Sequence, residues 1–186
     1  MYRDHRAVAH QDVYRDSTLF RVFLLVNTLQ VDIAFWRPEL FGPTGPAFRI
    51  AFGSSNSRPA QRAARSPQDL VGMAWLYALH VRSSVNRGRF LEADHMLNGM
   101  RDHIGMLITG RLGLRTEHGR GLDDLPSPFQ DALRLTRPER LDQLQCRRAL
   151  QGLVTLLSAE VAAGSGHRRL EMCLATIANT TGAEFV

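Results

Sequence analysis

The hydrophobic pattern of the N-terminal third is typical of short β-strands. Residues 19–25, 29–35 and 48–52 are brief runs rich in β-branched and aromatic side chains. Asn27-Thr28 between the first two runs predicts a tight hairpin, and the prolines within residues 41–46 predict a loop. Three strands make too small a sheet to be stable alone, so we expect this sheet to pack against other elements.

Further along the chain, apolar residues recur every three or four positions, as on one face of an amphipathic helix. Residues 54–65 show no such period and predict a linker. Ser66 then has the position of an N-cap, with Pro67 in the first turn and Asp69 at N3. The apolar positions of this helix and of the next are Leu70, Ala74, Tyr77, Val81 and Val85, then Phe90, Ala93, Leu97, Met100, Ile104 and Leu107.

Three more helices are predicted in the C-terminal part of the chain. They cover about residues 127–135, about residues 138–162, and the segment after the break at Gly164-Ser165-Gly166. We therefore expect an α+β fold, in which a small antiparallel or mixed N-terminal sheet precedes a predominantly α-helical bundle. The expected organisation is a sheet region at 1–55, a linker at 56–66 and a helical bundle at 67–186.

Composition narrows the classes of function. The 186 residues are 44% hydrophobic and 22% charged, without an apolar run long enough for a membrane span or a signal peptide, so we expect a cytoplasmic protein. The two cysteines, Cys146 and Cys173, lack the spacing of a zinc or redox site. All 23 basic residues are arginine, which excludes lysine Schiff-base chemistry and a Walker phosphate loop.

The strand at 29–35 contains one acidic residue, Asp32. It shares a strand face with Gln30 and Ala34, while the apolar residues of the run share the other face. A carboxylate fixed on a strand can bind a hard cation such as Mg²⁺ through oxygen. The alternative is a solvated side chain on the polar face of a half-buried strand, and the pattern alone favours that alternative.

Five segments together resemble a known family. The chain is similar to bacterial nucleotidyltransferase-domain proteins of the DNA polymerase β-like superfamily, which are related to aminoglycoside nucleotidyltransferases. The similarity covers about residues 18–160, and its motifs are fairly specific as a set and weak individually. The segments are LFRVFLL (19–25), QVDIAF (30–35), FGPTGPAFR (41–49), WLYALHVR (75–82) and HGRGLDDLP (118–126).

This resemblance implies Mg²⁺-dependent transfer of a nucleotidyl group from a nucleoside triphosphate to a hydroxyl of a small molecule, such as an aminoglycoside, or to a protein. In the family, a Gly-Ser pair binds phosphate, and an Asp-x-Asp with a third carboxylate holds two magnesium ions about 3.5–4 Å apart. Asp32 matches the third carboxylate. The 31 residues before it contain neither a Gly-Ser pair nor an Asp-x-Asp. We therefore expect a truncated nucleotidyltransferase-like chain that is weakly active or inactive alone.

Some family members use an acidic residue of the helical domain as general base, and Asp94 is the closest match here. It belongs to a polar stripe with Asn98 and Arg101, which is otherwise typical of a solvated helix face. Two decoys are rejected. Gly53-Ser54 follows the carboxylate strand and leads into the linker, and Glu92 and Asp94 point about 200° apart on a helix.

Other polar residues are candidates for lining a substrate cleft: His80, Arg87, His118, Arg120, Asp123 and Asp124. For Asp123 and Asp124 we favour a local role, capping or organising the turn before Ser127.

The main alternative function is a non-enzymatic helical interaction or oligomerisation module, because a small sheet exposes an edge that favours a homo-oligomer or another partner. A nucleic-acid partner is disfavoured, because aromatic residues are not interleaved with the arginines and because Arg89 and His95 form only a loose ribonuclease-like spacing. No membrane partner is expected.

Overall fold

The computed structural model of the protein describes residues 7–15, 17–43, 45, 47–57, 65–164 and 168–179. The chain divides into two compact units, Met1–Ala63 and Ala64–Val186. In the described residues, the first unit contains a three-stranded sheet and the second contains five α-helices. The α+β fold class predicted from the sequence is confirmed.

The first unit is an antiparallel sheet with the spatial order β1 (Ala7–Arg15), β2 (Thr18–Leu25) and β3 (Gln30–Phe35). The strands β2 and β3 confirm the predictions at 19–25 and 29–35. Their hairpin closes through two backbone hydrogen bonds, from Leu25 N to Leu29 O and from Thr28 N to Leu25 O, both 2.9 Å. Thr28 takes a positive φ of 65°, which the tight turn imposes on it.

The prediction of a third strand at residues 48–52 is wrong. Residues 48–52 form no strand in the structure, and the ring of Phe48 instead packs edge-on against Phe41, with centroids 5.8 Å apart. The run is apolar enough for a strand, but the sheet of the described residues consists of β1, β2 and β3, and residues 48–52 pair with none of them.

The third strand of the sheet is β1, which the sequence pattern did not predict. Polar and charged residues interrupt its apolar alternation, and its position is fixed by pairing with β2. Within that pairing Arg21 lies opposite Asp12, and its Nε and Nη2 donate to the two carboxylate oxygens at 2.7 and 2.6 Å. A bidentate ion pair of this kind adds geometric specificity that a count of apolar residues does not reveal.

The second unit is a helical bundle. Ser66 caps its first helix as predicted, because the Ser66 hydroxyl oxygen accepts a hydrogen bond from Asp69 N at 3.1 Å. The five helices are α1 (Pro67–Asn86), α2 (Phe90–Arg111), α3 (Ser127–Leu135), α4 (Gln143–Gly164) and α5 (Arg168–Asn179).

The helix α4 begins at Gln143 rather than near residue 138, as the sequence indicated. Asp142 is the reason for this start. Its carboxylate accepts a hydrogen bond from Gln145 N at 2.8 Å, and its carbonyl accepts one from Cys146 N at 3.0 Å. An Asp in this position satisfies the free amides of a first turn and fixes where a helix starts.

The core of the bundle lies mainly between α1, α2 and α4, and α5 adds to it. Its largest completely buried apolar side chains are Leu97, Met100, Ile104, Ile108, Leu153, Leu157 and Leu174. Each such side chain contributes roughly 1.5–3 kcal/mol through its removal from water. Among the helices that the structure describes, none combines the length and the apolar character needed to cross a bilayer.

Candidate functional site

A chain of polar side chains links the surface of α2 to the end of α3. Asn98 Nδ2 donates to the carbonyl oxygen of Asp94 at 3.0 Å and to its Oδ2 at 3.4 Å. Arg101 Nη1 donates to Asn98 Oδ1 at 2.6 Å. The same guanidinium donates from Nε to the Thr136 hydroxyl at 3.0 Å and from Nη2 to the Thr136 carbonyl at 2.7 Å. The stripe seen in the sequence is therefore a connected network.

Arg101 is the buried member of this network. Only 7% of the residue is exposed, so the stripe is not an ordinary solvated helix face. Burial lowers the pKa of the Arg101 guanidinium, the positive charge of Arg137 lowers it further, and nearby carboxylates on α2 oppose both effects. An arginine pKa is so far above neutral that the group stays charged, which makes Arg101 a fixed cation.

Asp94 sits at the outer end of the network and is half-buried. One carboxylate oxygen, Oδ2, receives the Asn98 amide, whereas the other, Oδ1, accepts no hydrogen bond from any residue that the structure describes. After the effect of burial, the negative charge of Asp94 helps to raise the pKa of the Cys146 thiol on α4. Asp94 is thus a carboxylate held at one oxygen and open at the other.

Asp32 lies in the other unit, on β3, opposite Val22 of β2. Its side chain is exposed, and its Oδ1 accepts a hydrogen bond from Gln30 Nε2 at 2.8 Å. The shared face with Gln30 agrees with the strand pattern in the sequence. In the described part of the chain, no three His, Cys, Asp or Glu side chains come together in a way that could hold a metal ion.

Glu92, which has the spacing of a chelating pair with Asp94, is committed elsewhere. Its Oε1 accepts hydrogen bonds from the Ser84 hydroxyl and from Arg87 Nη2, both at 3.0 Å, and its Oε2 contacts Arg89 Nη1 at 3.4 Å. These interactions lower the pKa of Glu92. The glutamate therefore joins the end of α1 to the start of α2, and Arg87 takes part in that joint.

A cavity of about 300 Å³ lies at the end of α3 and the start of α4. Three arginines line it, namely Arg134, Arg137 and Arg148, and Glu139 is its one acidic lining residue. Arg137 follows directly after Thr136, and its charge acts on Arg101, so the cavity adjoins the polar network. The sequence interpretation missed this site, although Arg134, Arg137 and Arg148 bracket a proline and a predicted helix start.

A second cavity, of about 390 Å³, lies where the loop after α2 folds back on that helix. Its lining includes Asp102 from α2 and both Arg115 and His118 from the loop. His118 has a positive φ of 56°, a backbone conformation that costs about 1–3 kcal/mol in a non-glycine residue. His118 is thus the predicted cleft residue that does line a cavity.

The remaining predicted cleft residues have other positions. Four of them are exposed and line neither cavity: His80, Arg120, Asp123 and Asp124. Of the two local roles favoured for Asp123 and Asp124, capping is wrong, because Pro126 is the N-cap residue of α3 and no side chain caps it. A role in the turn before Ser127 agrees with the backbone hydrogen bond from Asp124 N to Gly121 O at 3.3 Å. The carbonyl oxygen of Asp123 instead accepts a hydrogen bond from Gln130 Nε2 at 3.0 Å.

Comparisons with known proteins give little further identification. No protein-family model matches the chain. No curated protein matches it either. Among solved structures, an aminoglycoside 6-adenyltransferase from Bacillus subtilis aligns with a TM-score of 0.42 and 12% sequence identity, over 94% of this chain and 80% of that one.

Proposed function

We propose that this is a nucleotidyltransferase-like protein and that Asp94, on its helical unit, is the carboxylate that receives the proton of an acceptor hydroxyl. The supporting observation is the Asp94–Asn98–Arg101–Thr136 network. Its inner end is anchored by a buried arginine, so the outer carboxylate is held on a rigid helix rather than on a loop. Fixed geometry of this kind is what a general base needs.

The free Oδ1 of Asp94 gives the proposal its chemistry. A hydroxyl hydrogen-bonded there would lose its proton to Oδ1 as its oxygen attacks the α-phosphate of a nucleoside triphosphate, and pyrophosphate would leave. Asn98 keeps Oδ2 turned away from the incoming group, because its amide donates to that oxygen. Positioned general bases of this kind accelerate reactions about 10²–10⁴-fold.

For Asp32 we propose the metal-ligand role that the sequence resemblance implies. The described residues do not, however, provide the donors of a two-magnesium site, because Gln30 is the neighbour that contacts Asp32 and no carboxylate cluster surrounds it. A single carboxylate cannot organise two ions for in-line transfer. We therefore expect transfer by this chain alone to be weak or absent, and we assign no step to a bound metal.

The test uses the full chain, Mg²⁺, a radiolabelled nucleoside triphosphate and a panel of acceptors that includes an aminoglycoside and a hydroxyl-bearing protein. We expect little labelled product, and we expect calorimetry to show acceptor binding that Asp94→Asn weakens about tenfold or more. The matched control is Asp69→Asn, an exposed carboxylate in the first turn of α1 that lines neither cavity, and it should bind like the wild type.

Two results would contradict parts of this proposal. Equal acceptor binding by wild type and Asp94→Asn, or no binding by either, would remove the role of Asp94. Fast incorporation that Asp32→Asn abolishes would instead overturn the expectation of weak activity and would support Asp32 as a metal ligand.

A second candidate function is a non-enzymatic interaction module. Exposed apolar side chains at the C-terminal end of α3 and at the start of α4 favour it. Leu135 and Leu144 are 70% and 73% exposed, so each leaves most of an apolar side chain in water. Sedimentation would show a concentration-dependent oligomer if these side chains form an interface, and Leu135→Ser with Leu144→Ser would return it to monomer. A strict monomer at all concentrations would count against this candidate.

A further inference from the structure

The arginine-lined cavity has a strong excess of positive charge. Three arginines face one glutamate in its lining. Arg134 is partly engaged, because it donates to Asp131 Oδ1 at 3.0 Å and to Gln130 Oε1 at 2.8 Å. By contrast, the guanidinium groups of Arg137 and Arg148 make no hydrogen bond or ion pair with any residue that the structure describes.

A further positive charge, that of the buried Arg101, lies beside this cavity. The charge of Arg137 is close enough to Arg101 to lower its pKa. An anion that binds between several like-charged arginines is attracted by each of them, so a lining with three arginines and one glutamate favours an anionic ligand. The Thr136 joint holds the guanidinium group of Arg101, whereas Arg137 and Arg148 line the same cavity and no hydrogen bond or ion pair with a described residue holds their guanidinium groups.

We propose that this cavity is an oxyanion site that binds phosphate groups. Guanidinium groups present planar pairs of N–H donors that match the oxygens of phosphate, and each such hydrogen bond is strengthened by charge. A volume of about 300 Å³ is at the small end of ligand cavities, so it suits a phosphate or short polyphosphate better than an entire nucleotide. The ligand is either free polyphosphate or the phosphate tail of a nucleotide.

This site adds to the proposed function and does not depend on the role of Asp94. Binding of phosphate to Arg137 and Arg148 can be measured without an acceptor and without any transfer. A failure of the transfer assay therefore leaves the oxyanion site intact, and a failure of anion binding leaves the acceptor role of Asp94 intact.

The experiment titrates the full-length chain by calorimetry with inorganic triphosphate, with ATP and with adenosine. The test variant is Arg137→Gln/Arg148→Gln. The matched control is Arg82→Gln/Arg120→Gln, which removes the same charge from two arginines outside the cavity. Circular dichroism confirms that each variant is folded. A third variant, Glu139→Gln, removes the one acidic lining residue and should tighten binding a few-fold.

We expect the wild type to bind triphosphate, the cavity variant to lose roughly tenfold or more in affinity, and the control to stay within about twofold. Binding of ATP without binding of adenosine assigns the site to the phosphate tail of a nucleotide, whereas binding of triphosphate but not ATP assigns it to free polyphosphate. Equal losses in the two double variants would reduce the effect to surface charge and overturn the proposal. Absence of any anion binding by the folded wild type would overturn it as well.

Discussion

Arg101 donates two hydrogen bonds to Thr136, one to its hydroxyl at 3.0 Å and one to its carbonyl oxygen at 2.7 Å. Thr136 is the C-cap residue of α3, so the guanidinium meets that helix where its carbonyl groups lack intrahelical partners. A positive charge at this end also complements the helix dipole. The pair joins α2 to α3 and at the same time anchors the network that ends at Asp94.

Replacement of Arg101 by methionine tests this joint. Arg101→Met keeps a long side chain but removes all donors, so the buried Thr136 carbonyl loses a charged partner. We expect the free energy of unfolding to fall by about 1.5–3 kcal/mol, measured by urea denaturation. An exposed arginine, Arg120, provides the comparison. Arg120→Met should change the free energy of unfolding by less than about 0.5 kcal/mol. An unchanged midpoint for Arg101→Met would show that the joint contributes nothing to stability.

Two glycines in neighbouring helices should respond in opposite directions to alanine. A Cβ at Gly99 would lie 2.7 Å from Cε1 and Cζ of Tyr77, whereas a Cβ at Gly72 meets nothing within 4 Å. Overpacking costs about 1–3 kcal/mol, which exceeds the helix-propensity gain of about 1 kcal/mol. We expect thermal unfolding to show Gly99→Ala destabilised and Gly72→Ala stabilised. Shifts of the same sign would mean that Tyr77 moves aside freely.

The sequence predicted the parts of the fold that local chemistry decides. The Ser66 cap, the apolar faces of α1 and α2 and the β2–β3 hairpin all follow from residues close together in the chain. The strand β1 could not be found from the hydrophobic pattern, because polar and charged residues interrupt its apolar alternation and its pairing with β2 identifies it. Residues 48–52 have a strand composition, but composition does not show whether a segment pairs with a sheet.

In the candidate site, too, the sequence predicted what depends on neighbouring residues and missed what depends on residues distant in the chain. Asp94, Asn98 and Arg101 follow helical spacing, so the sequence identified their stripe. It could not show that Arg101 is buried, because Thr136 is 35 residues away in the chain. The cavity arginines were missed for the same reason, since Arg148 belongs to a different helix from Arg134.

The two thiols should differ strongly in reactivity. Cys146 is completely buried, and burial raises its pKa with further contributions from Asp94 and Asp142, while Cys173 is exposed. Because the thiolate is the reactive form, we expect one fast and one very slow reaction with a disulfide reagent at pH 8. Cys173→Ser should abolish the fast reaction, and mild urea should accelerate the slow one. Fast labelling of Cys173→Ser would show that the α2–α4 contact opens readily.

Acid should weaken the sheet through Asp12. The hydrogen bonds from Arg21 hold the pKa of Asp12 below the ordinary aspartate value of 3.8, an effect that outweighs partial desolvation. Because the folded-state pKa is depressed, this contribution to stability is fully present above pH 3.8 and is lost as the pH falls through the lower folded value. NMR titration of the Asp12 carboxyl should give a midpoint below 3.8, and Arg21→Met should raise it. Asp12→Asn should remove this part of the acid dependence, and an identical midpoint in wild type and Arg21→Met would contradict the cause.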